Sequence, residues 1–83
     1  MKHIINKTIE NGKFIYTYNG EVYRKSKNDY KYGCIATCRA SKGATKESDG
    51  KSQVIALGND QTSTLKSNAM RYHYCDLEVV EIQ

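Results

Sequence analysis

Long apolar runs, tryptophan and known catalytic motifs are all missing from this 83-residue sequence, which also has a single phenylalanine. No segment approaches the roughly 18 consecutive apolar residues that a membrane-spanning helix needs, so we predict no membrane span. The apolar run near the start, Ile4-Ile5, is too short for a secretory signal peptide. Three cysteines cannot all pair within one chain. Together these features predict free thiols in a reducing cytoplasm.

The sequence also lacks the residue patterns that enzymes use. Nucleophilic catalysis needs a thiol or hydroxyl beside a base, and only His3 and His73 could supply an imidazole. There is no Gly-x-Ser-x-Gly motif, and Gly43 and Gly50 do not have the spacing of a phosphate-binding loop. We therefore predict that the chain is not an enzyme and that it needs no cofactor.

The composition is basic and rich in tyrosine. Hydrophobic residues make up 39% of the chain, seven residues are tyrosine, and the net charge is +4. Basic residues outnumber acidic ones between Val22 and Lys51, whereas all the charged side chains in residues 76–83 are acidic. This asymmetry favours a partner with an acidic surface, either a nucleic acid or an anionic protein surface. A homodimer is a further alternative.

Two Asn-Gly pairs, at 11–12 and 19–20, lie between segments in which apolar and polar residues alternate. Asn-Gly is the preferred pair for a two-residue type I′ turn, so the first three segments are predicted to form hairpins. The predicted register places Glu10 opposite Lys13, and Tyr16 opposite Tyr23. The alternation in residues 30–40 predicts a long strand with Gly33 and Ile35 on a basic outer face.

The remaining pattern predicts two more strands and a helix. Thr62 or Ser63 is the predicted helix cap, and Leu65, Ala69 and Tyr72 have the spacing of an apolar helix face. The predicted fold is a single α+β domain over residues 1–83, an antiparallel β-meander of five to six strands with one helix packed on one face. Residues 41–52 are predicted to be a mobile polar loop. The predicted elements are strands 3–10, 13–18, 21–26, 30–40, 53–57 and 77–82 and a helix from about 64 to 72.

Aromatic and basic residues are interleaved along the sequence, as they are in surfaces that bind single-stranded nucleic acids and in protein–protein hot spots. Because tyrosine and arginine are common to both, the pattern leaves the two kinds of partner open. The predicted partner-binding residues are Tyr23, Arg24, Lys25, Tyr30, Lys31, Tyr32 and Arg39.

Four residues, Cys34, Cys38, His73 and Cys75, have the chemistry of a tetrahedral zinc site. Together with Val22-Tyr23-Arg24-Lys25 and the aromatic residue before Cys34, they resemble the zinc-binding DNA-recognition families FLYWCH and WRKY. That resemblance implies a zinc-stabilised nucleic-acid-binding module. On one extended strand, however, the first two cysteines would lie about 13 Å apart. We therefore favour the alternative that the cysteines are small apolar residues that pack in a β-sheet, with no metal bound.

The overall build resembles the small accessory proteins of bacteriophages, including anti-CRISPR and other anti-defence inhibitors. The features concerned are the size, the Lys/Asn/Tyr/Ile-rich composition and the closing apolar segment 77–82. The resemblance implies a small phage-encoded protein that acts in the host-cell cytoplasm. There it would sterically block a host defence protein or nucleoprotein complex with an acidic surface. The contacts would then come from Tyr, Lys and Arg side chains on the sheet and from residues 41–52.

Overall fold

The computed structural model describes residues 3–69 and 71–83, and in these ranges it has six β-strands in two antiparallel sheets and one α-helix. The predicted α+β class is therefore confirmed. A single-turn 3-10 helix also lies between the fourth and fifth strands. In chain order the elements are β1 (Ile5–Glu10), β2 (Lys13–Tyr18), β3 (Glu21–Ser26), β4 (Tyr32–Cys38), the 3-10 helix (Ala40–Lys42), β5 (Ser52–Gly58), α1 (Gln61–Ala69) and β6 (Cys75–Glu81).

The first sheet consists of β1, β2 and β3, and each strand pairs with the next one along the chain. Both connections have the positive φ angles that a type I′ turn requires. Asn11 and Asn19 have φ of 51° and 53°, and the glycines that follow them have φ of 76° and 79°. Asparagine tolerates this left-handed conformation and glycine has no Cβ to oppose it. The predicted pair of Glu10 and Lys13 is confirmed.

The register between β2 and β3 departs from the predicted one. Thr17 pairs with Val22, as predicted, but the next residue, Tyr16, pairs with Arg24 instead of Tyr23. Tyr23 is therefore the extra residue of a β-bulge, and the predicted pairing of Tyr16 with Tyr23 is wrong. The alternation of side chains assumes a regular ladder, whereas a bulge inserts one unpaired residue and bends the strand.

The second sheet has β4 at its centre, between β5 and β6. The predicted single meander is wrong beyond β3, because the chain leaves β5 through α1 and returns as β6 on the other side of β4. The predicted basic outer face of β4 is also wrong. Gly33 and Ile35 are both buried, and Ile35 has no exposed surface at all. A central strand that is covered on both faces has no solvent-facing side, so alternation cannot identify one.

Two glycines show which element covers each face of the second sheet. A Cβ atom on Gly33 would collide with Cδ1 of Ile5 in β1, and one on Gly58 would collide with Oγ1 of Thr64 in α1. The first sheet therefore packs on one face and the helix on the other, in three layers. The apolar core between the sheets consists of Ile5, Tyr18, Ile35 and Val54, with Tyr23, Leu57, Val80 and Ile82 packed against it.

The helix begins at Gln61, about three residues before its predicted start, because Asp60 caps it. The Asp60 carboxylate accepts a hydrogen bond of 2.8 Å from the backbone N–H of Ser63. This bond satisfies one of the N–H groups that a helix start leaves without a partner. The prediction of Thr62 or Ser63 as the cap is therefore wrong.

The buried face of the helix is polar. Thr64 and Asn68 are buried, whereas Leu65 is 41% exposed and Ala69 is also exposed, so the predicted apolar face is wrong. Asn68 satisfies its side chain within the helix, because its Nδ2 donates to the Thr64 carbonyl oxygen at 2.8 Å. Tyr72 lies in the turn that follows, and position 70, inside the predicted helix, lies outside the described residues.

Hydrogen-bonded turns make up most of the segment predicted to be a mobile loop, and its last residue, Ser52, already belongs to β5. The Gly50 N–H donates to the Cys38 carbonyl oxygen at 2.8 Å, and the Ala40 N–H donates to the Asp49 carboxylate at 3.0 Å. These bonds bring the two ends of the segment together. Its mobility remains a prediction.

The two sheets are joined along one side. The Gln83 N–H donates to the Ile5 carbonyl oxygen at 2.9 Å, and the Lys7 N–H donates to the Gln83 carbonyl oxygen at 3.0 Å. Gln83 thus connects the chain beyond β6 to β1. The other outer strands of the two sheets, β3 and β5, keep edges that carry no such link among the described residues.

Candidate binding surface

The edge strand β3 carries three consecutive residues of the predicted partner-binding set. Arg24 and Lys25 are exposed, and Tyr23, at the bulge, is half-buried. The guanidinium carbon of Arg24 lies 5.4 Å from the centroid of the Tyr23 ring, which is a cation–π distance. Val22, just before them, is 56% exposed although it is apolar. This short strand therefore carries an exposed aliphatic side chain, two exposed cations and a half-buried aromatic ring that also packs against the core.

A cleft of about 330 Å³ lies between β3 and β5, and we call it the β3–β5 cleft. Its apolar wall comes from both sheets, and Glu21 contributes a negative charge at the turn that begins β3. Its volume is at the lower end of the range for ligand pockets, which suits one or two side chains of a partner. The lining residues are Tyr18, Asn19, Glu21, Val22, Tyr23, Ser52, Gln53 and Val54.

Tyr30, another predicted contact, is half-buried and is held in place by Tyr16. The Tyr30 N–H donates to Oη of Tyr16 at 2.8 Å, and that hydroxyl donates to the carbonyl oxygen of Asn28 at 2.6 Å. The two tyrosine rings are 5.8 Å apart between centroids. Asn28 also donates through Nδ2 to the Tyr30 hydroxyl at 3.1 Å. Tyr30 therefore helps to satisfy the buried hydroxyl of Tyr16.

Lys31 lies just before β4, and Tyr32 is the first residue of that strand. The Lys31 side chain is exposed, but its backbone bonds on both sides, to Gly58 of β5 at 3.2 Å and to Ile82, just after β6, at 2.8 Å. Tyr32 is half-buried and pairs with Gly58 on one side and Glu81 on the other. Of this pair, Lys31 is the one whose side chain is open to a partner.

Arg39, the last residue of the predicted set, is engaged by an acidic neighbour. Nε of Arg39 donates to the Asp76 carboxylate at 2.7 Å, and Nζ of Lys42 donates to the same carboxylate at 2.5 Å. Hydrogen bonds from Lys42 and Arg39 hold the pKa of Asp76 below its usual range, and the bond that Arg39 donates to Asp76 raises the pKa of Arg39. The charge of Arg39 is thus partly compensated, whereas Arg24 and Lys25 on β3 have no ion pair within the part of the chain that the structure describes.

The four residues predicted as alternative zinc ligands are only partly brought together. Sγ of Cys38 and Sγ of Cys75 are 3.4 Å apart, but Cys34 is fully buried in β4 and His73 is exposed beside the Tyr74 ring. Burial raises the pKa of the Cys34 thiol, which suits a packing role. Among residues 3–69 and 71–83, no three His, Cys, Asp or Glu side chains are grouped so that they could hold a metal ion.

The polar contacts of His3 are another feature that the sequence pattern did not predict. Nδ1 of His3 lies 2.8 Å from Oη of Tyr18, and Nε2 lies 4.0 Å from the Glu78 carboxylate. The imidazole therefore links β2 of the first sheet to β6 of the second. These residues lie far apart in the sequence and form no motif, so only the fold could bring them together.

Comparison with protein-family models, with curated proteins and with solved structures found no match in any of the three. No helix in residues 3–69 and 71–83 is long and apolar enough to cross a membrane. A function for this chain therefore has to be argued from the surface just described.

Proposed function

We propose that this chain is a small binding protein that attaches to an acidic surface of a partner protein through β3 and the β3–β5 cleft, without catalysing a reaction. One observation carries the proposal: an exposed Val22, a cation–π pair of Arg24 and Tyr23, and an open cleft all occur on one edge strand. Aromatic and arginine side chains beside a pocket are the usual anchors of protein interfaces.

Some predicted contact residues make bonds within the molecule and others are exposed on β3, and this arrangement favours a protein partner over a nucleic acid. Surfaces that bind single strands combine a continuous basic groove with aromatic rings on which bases stack. Here Tyr30 bonds to Tyr16, and Arg39 pairs with Asp76. The exposed cations on β3 that remain are Arg24 and Lys25, which offer few phosphate contacts.

The charges on β3 also fit a side-chain interface better than an added strand. An exposed edge strand can pair with another chain through its backbone, and natural proteins prevent this with lysine, arginine and bulges. β3 has both devices, in Arg24, Lys25 and the bulge at Tyr23. We therefore assign partner contact to the side chains. Val22 and Tyr23 would supply the buried anchor, and the cations would speed association with an acidic surface.

In line with the resemblance to phage anti-defence proteins, we propose a host defence protein or nucleoprotein complex in the cytoplasm as the target. Binding alone would then block the target by steric occlusion, with no cofactor involved. A nucleic-acid-binding module, either zinc-stabilised or metal-free, is the alternative function. The zinc-stabilised form would need a metal ligand set that the described residues do not assemble.

A nucleic-acid titration separates the two functions. Fluorescence anisotropy of labelled single- and double-stranded oligonucleotides would be measured against the full chain at near-physiological salt. We expect only weak binding that decreases steeply with salt, because non-specific phosphate contacts release counterions. A sub-micromolar complex with either oligonucleotide, weakened by Arg24→Glu, would instead favour the nucleic-acid-binding module.

A further inference from the structure

Cys38 of β4 and Cys75 of β6 lie opposite each other on neighbouring strands of the second sheet. They are partners in the strand register, and their Sγ atoms are 3.4 Å apart, although both thiols are free in this structure. Two free thiols at this separation are close enough to interact directly. No part of the proposed binding function uses them.

The backbone hydrogen bonds show what kind of cross-strand pair this is. The Cys38 N–H donates to the carbonyl oxygen of Lys51 and its carbonyl oxygen accepts from Gly50, both on the β5 side. The Cys75 N–H donates to the carbonyl oxygen of Tyr72. The two cysteines thus form a non-hydrogen-bonded pair, whose Cα atoms are typically about 4.5 Å apart in antiparallel sheets. That separation lies within the range of Cα distances that disulfides span.

The two thiols differ in their access to solvent. Cys38 is half-buried, whereas Cys75 is only 6% exposed. Burial and the hydrogen bond with Cys38 raise the pKa of Cys75 to about 11. Cys38 is therefore the sulfur that an external reagent reaches first, and Cys75 is placed to react with Cys38 afterwards.

We propose that Cys38 and Cys75 are a redox site, which closes to an intramolecular disulfide when the chain meets a low-molecular-weight disulfide. The Cys38 thiolate attacks one sulfur of that reagent, forms a mixed disulfide and releases the first thiolate. Cys75 then gives its proton to solvent, and its sulfur attacks Sγ of Cys38 and releases the second thiolate. In sum, the two cysteines lose two electrons and two protons, and the reagent is reduced to two thiols.

The bond would form at a structurally important corner of the sheet. Arg39 and Asp76, which follow the two cysteines, are joined by an ion pair that Lys42 shares. A disulfide would lock β4 to β6 beside this cluster, at the start of the turns that lead to β5. Because a cross-link restricts the unfolded chain, the oxidised form should melt at a higher temperature than the reduced form. This site goes beyond the proposed binding function, since it does not depend on β3.

The test uses the reduced full chain and glutathione disulfide as the oxidant. After incubation, the chain is unfolded in denaturant, the remaining thiols are alkylated, and intact-mass and peptide-mapping spectra are recorded. We expect a monomer that has lost two hydrogen atoms, one alkylated cysteine (Cys34) and a cross-linked peptide containing Cys38 and Cys75. Cys34→Ala should give the same cross-link. Cys38→Ser should give none, and Cys75→Ser should stop at a glutathione adduct on Cys38.

The peptide map of the unmutated chain decides the outcome even where a variant folds poorly. Three alkylated cysteines, a cross-link that includes Cys34, a disulfide between two chains or a stable glutathione adduct on Cys38 in the unmutated chain would each overturn the proposal. Reversal of the cross-link and of the rise in melting temperature by dithiothreitol would support it.

Discussion

Gly58 of β5 lies directly against Thr64 of α1, and no side-chain atom fits between them. This contact sets how closely the helix approaches the second sheet. It also explains the polar inner face of the helix, because a short threonine over a glycine can be buried where a leucine would not fit. The pairing of Gly58 with Tyr32 puts the contact at the end of β4 that carries Lys31.

Gly58→Ala should therefore destabilise the protein by about 1–3 kcal/mol, the usual cost of forcing an extra carbon into a packed site. Thr64→Ala removes the atoms that the new methyl group would strike. The double variant should lose less stability than the two single variants added together, as expected for residues in contact. Urea unfolding of all four proteins measures this coupling. Fully additive effects would mean that the helix does not rest on Gly58.

Asp60→Ala should lower the melting temperature by several degrees, because the N–H of Ser63 loses its acceptor. The hydrogen bonds from Ser63 also hold the pKa of Asp60 below its usual range, so the carboxylate stays ionised at neutral pH. Thr62→Ala, at an exposed position in the first turn, is the matched control and should have little effect. A larger loss from Thr62→Ala would place the cap on threonine instead. Thermal unfolding monitored by circular dichroism measures the melting temperatures of both variants.

The ion pairs of Asp76 predict a pH dependence of stability. Its pKa is lower in the folded chain than its usual value of about 4, so the stabilisation is present above that value and is lost as the pH decreases through the folded pKa. Asp76→Asn lacks this contribution. The stability difference between wild type and variant should be largest at neutral pH and shrink as the pH falls below about 5. A difference that is constant from neutral to acid pH would show that the ion pairs contribute nothing. Because Asp76 is about half exposed, added salt should reduce the difference.

The chain should fold without metal. Prolonged dialysis against a chelator should leave the melting temperature unchanged, and elemental analysis should find no stoichiometric zinc. Replacing Cys34 and Cys38 by alanine should cost about 1–3 kcal/mol through altered packing and still give a cooperative transition. A structural zinc site supplies the folding free energy itself, so unfolding by the chelator would contradict this expectation.

Local signals explain what could be predicted from the sequence. The Asn-Gly turns fix three strands, because the φ angles they need depend on two residues each. The prediction failed where several elements meet. Ile35 is buried because the first sheet covers it, and Thr64 is buried because Gly58 makes room for it. Neither contact produces a periodic pattern of residues in the sequence.

The candidate surface likewise combines features that depend on neighbouring residues with features that depend on contacts between distant parts of the chain. Tyr23, Arg24 and Lys25 were predicted as contacts, and they lie exposed or half-buried at an edge strand. Two further residues from the predicted set, Tyr30 and Arg39, make internal bonds that depend on residues distant in sequence. The β3–β5 cleft was not predicted, because it forms between strands of two different sheets.

The central claim is that β3 and the β3–β5 cleft bind an acidic protein segment. The most direct measurement selects peptides from a displayed random library on the immobilised full chain, and then determines their affinities for wild type, Val22→Glu, Arg24→Glu and Lys66→Glu. Lys66 on the exposed side of α1 provides the matched charge reversal away from the cleft. We predict acidic peptides with an apolar anchor, whose binding weakens about tenfold or more in the two β3 variants and stays unchanged in Lys66→Glu. Peptides without acidic residues, or affinities that the β3 variants leave unchanged, would contradict the account.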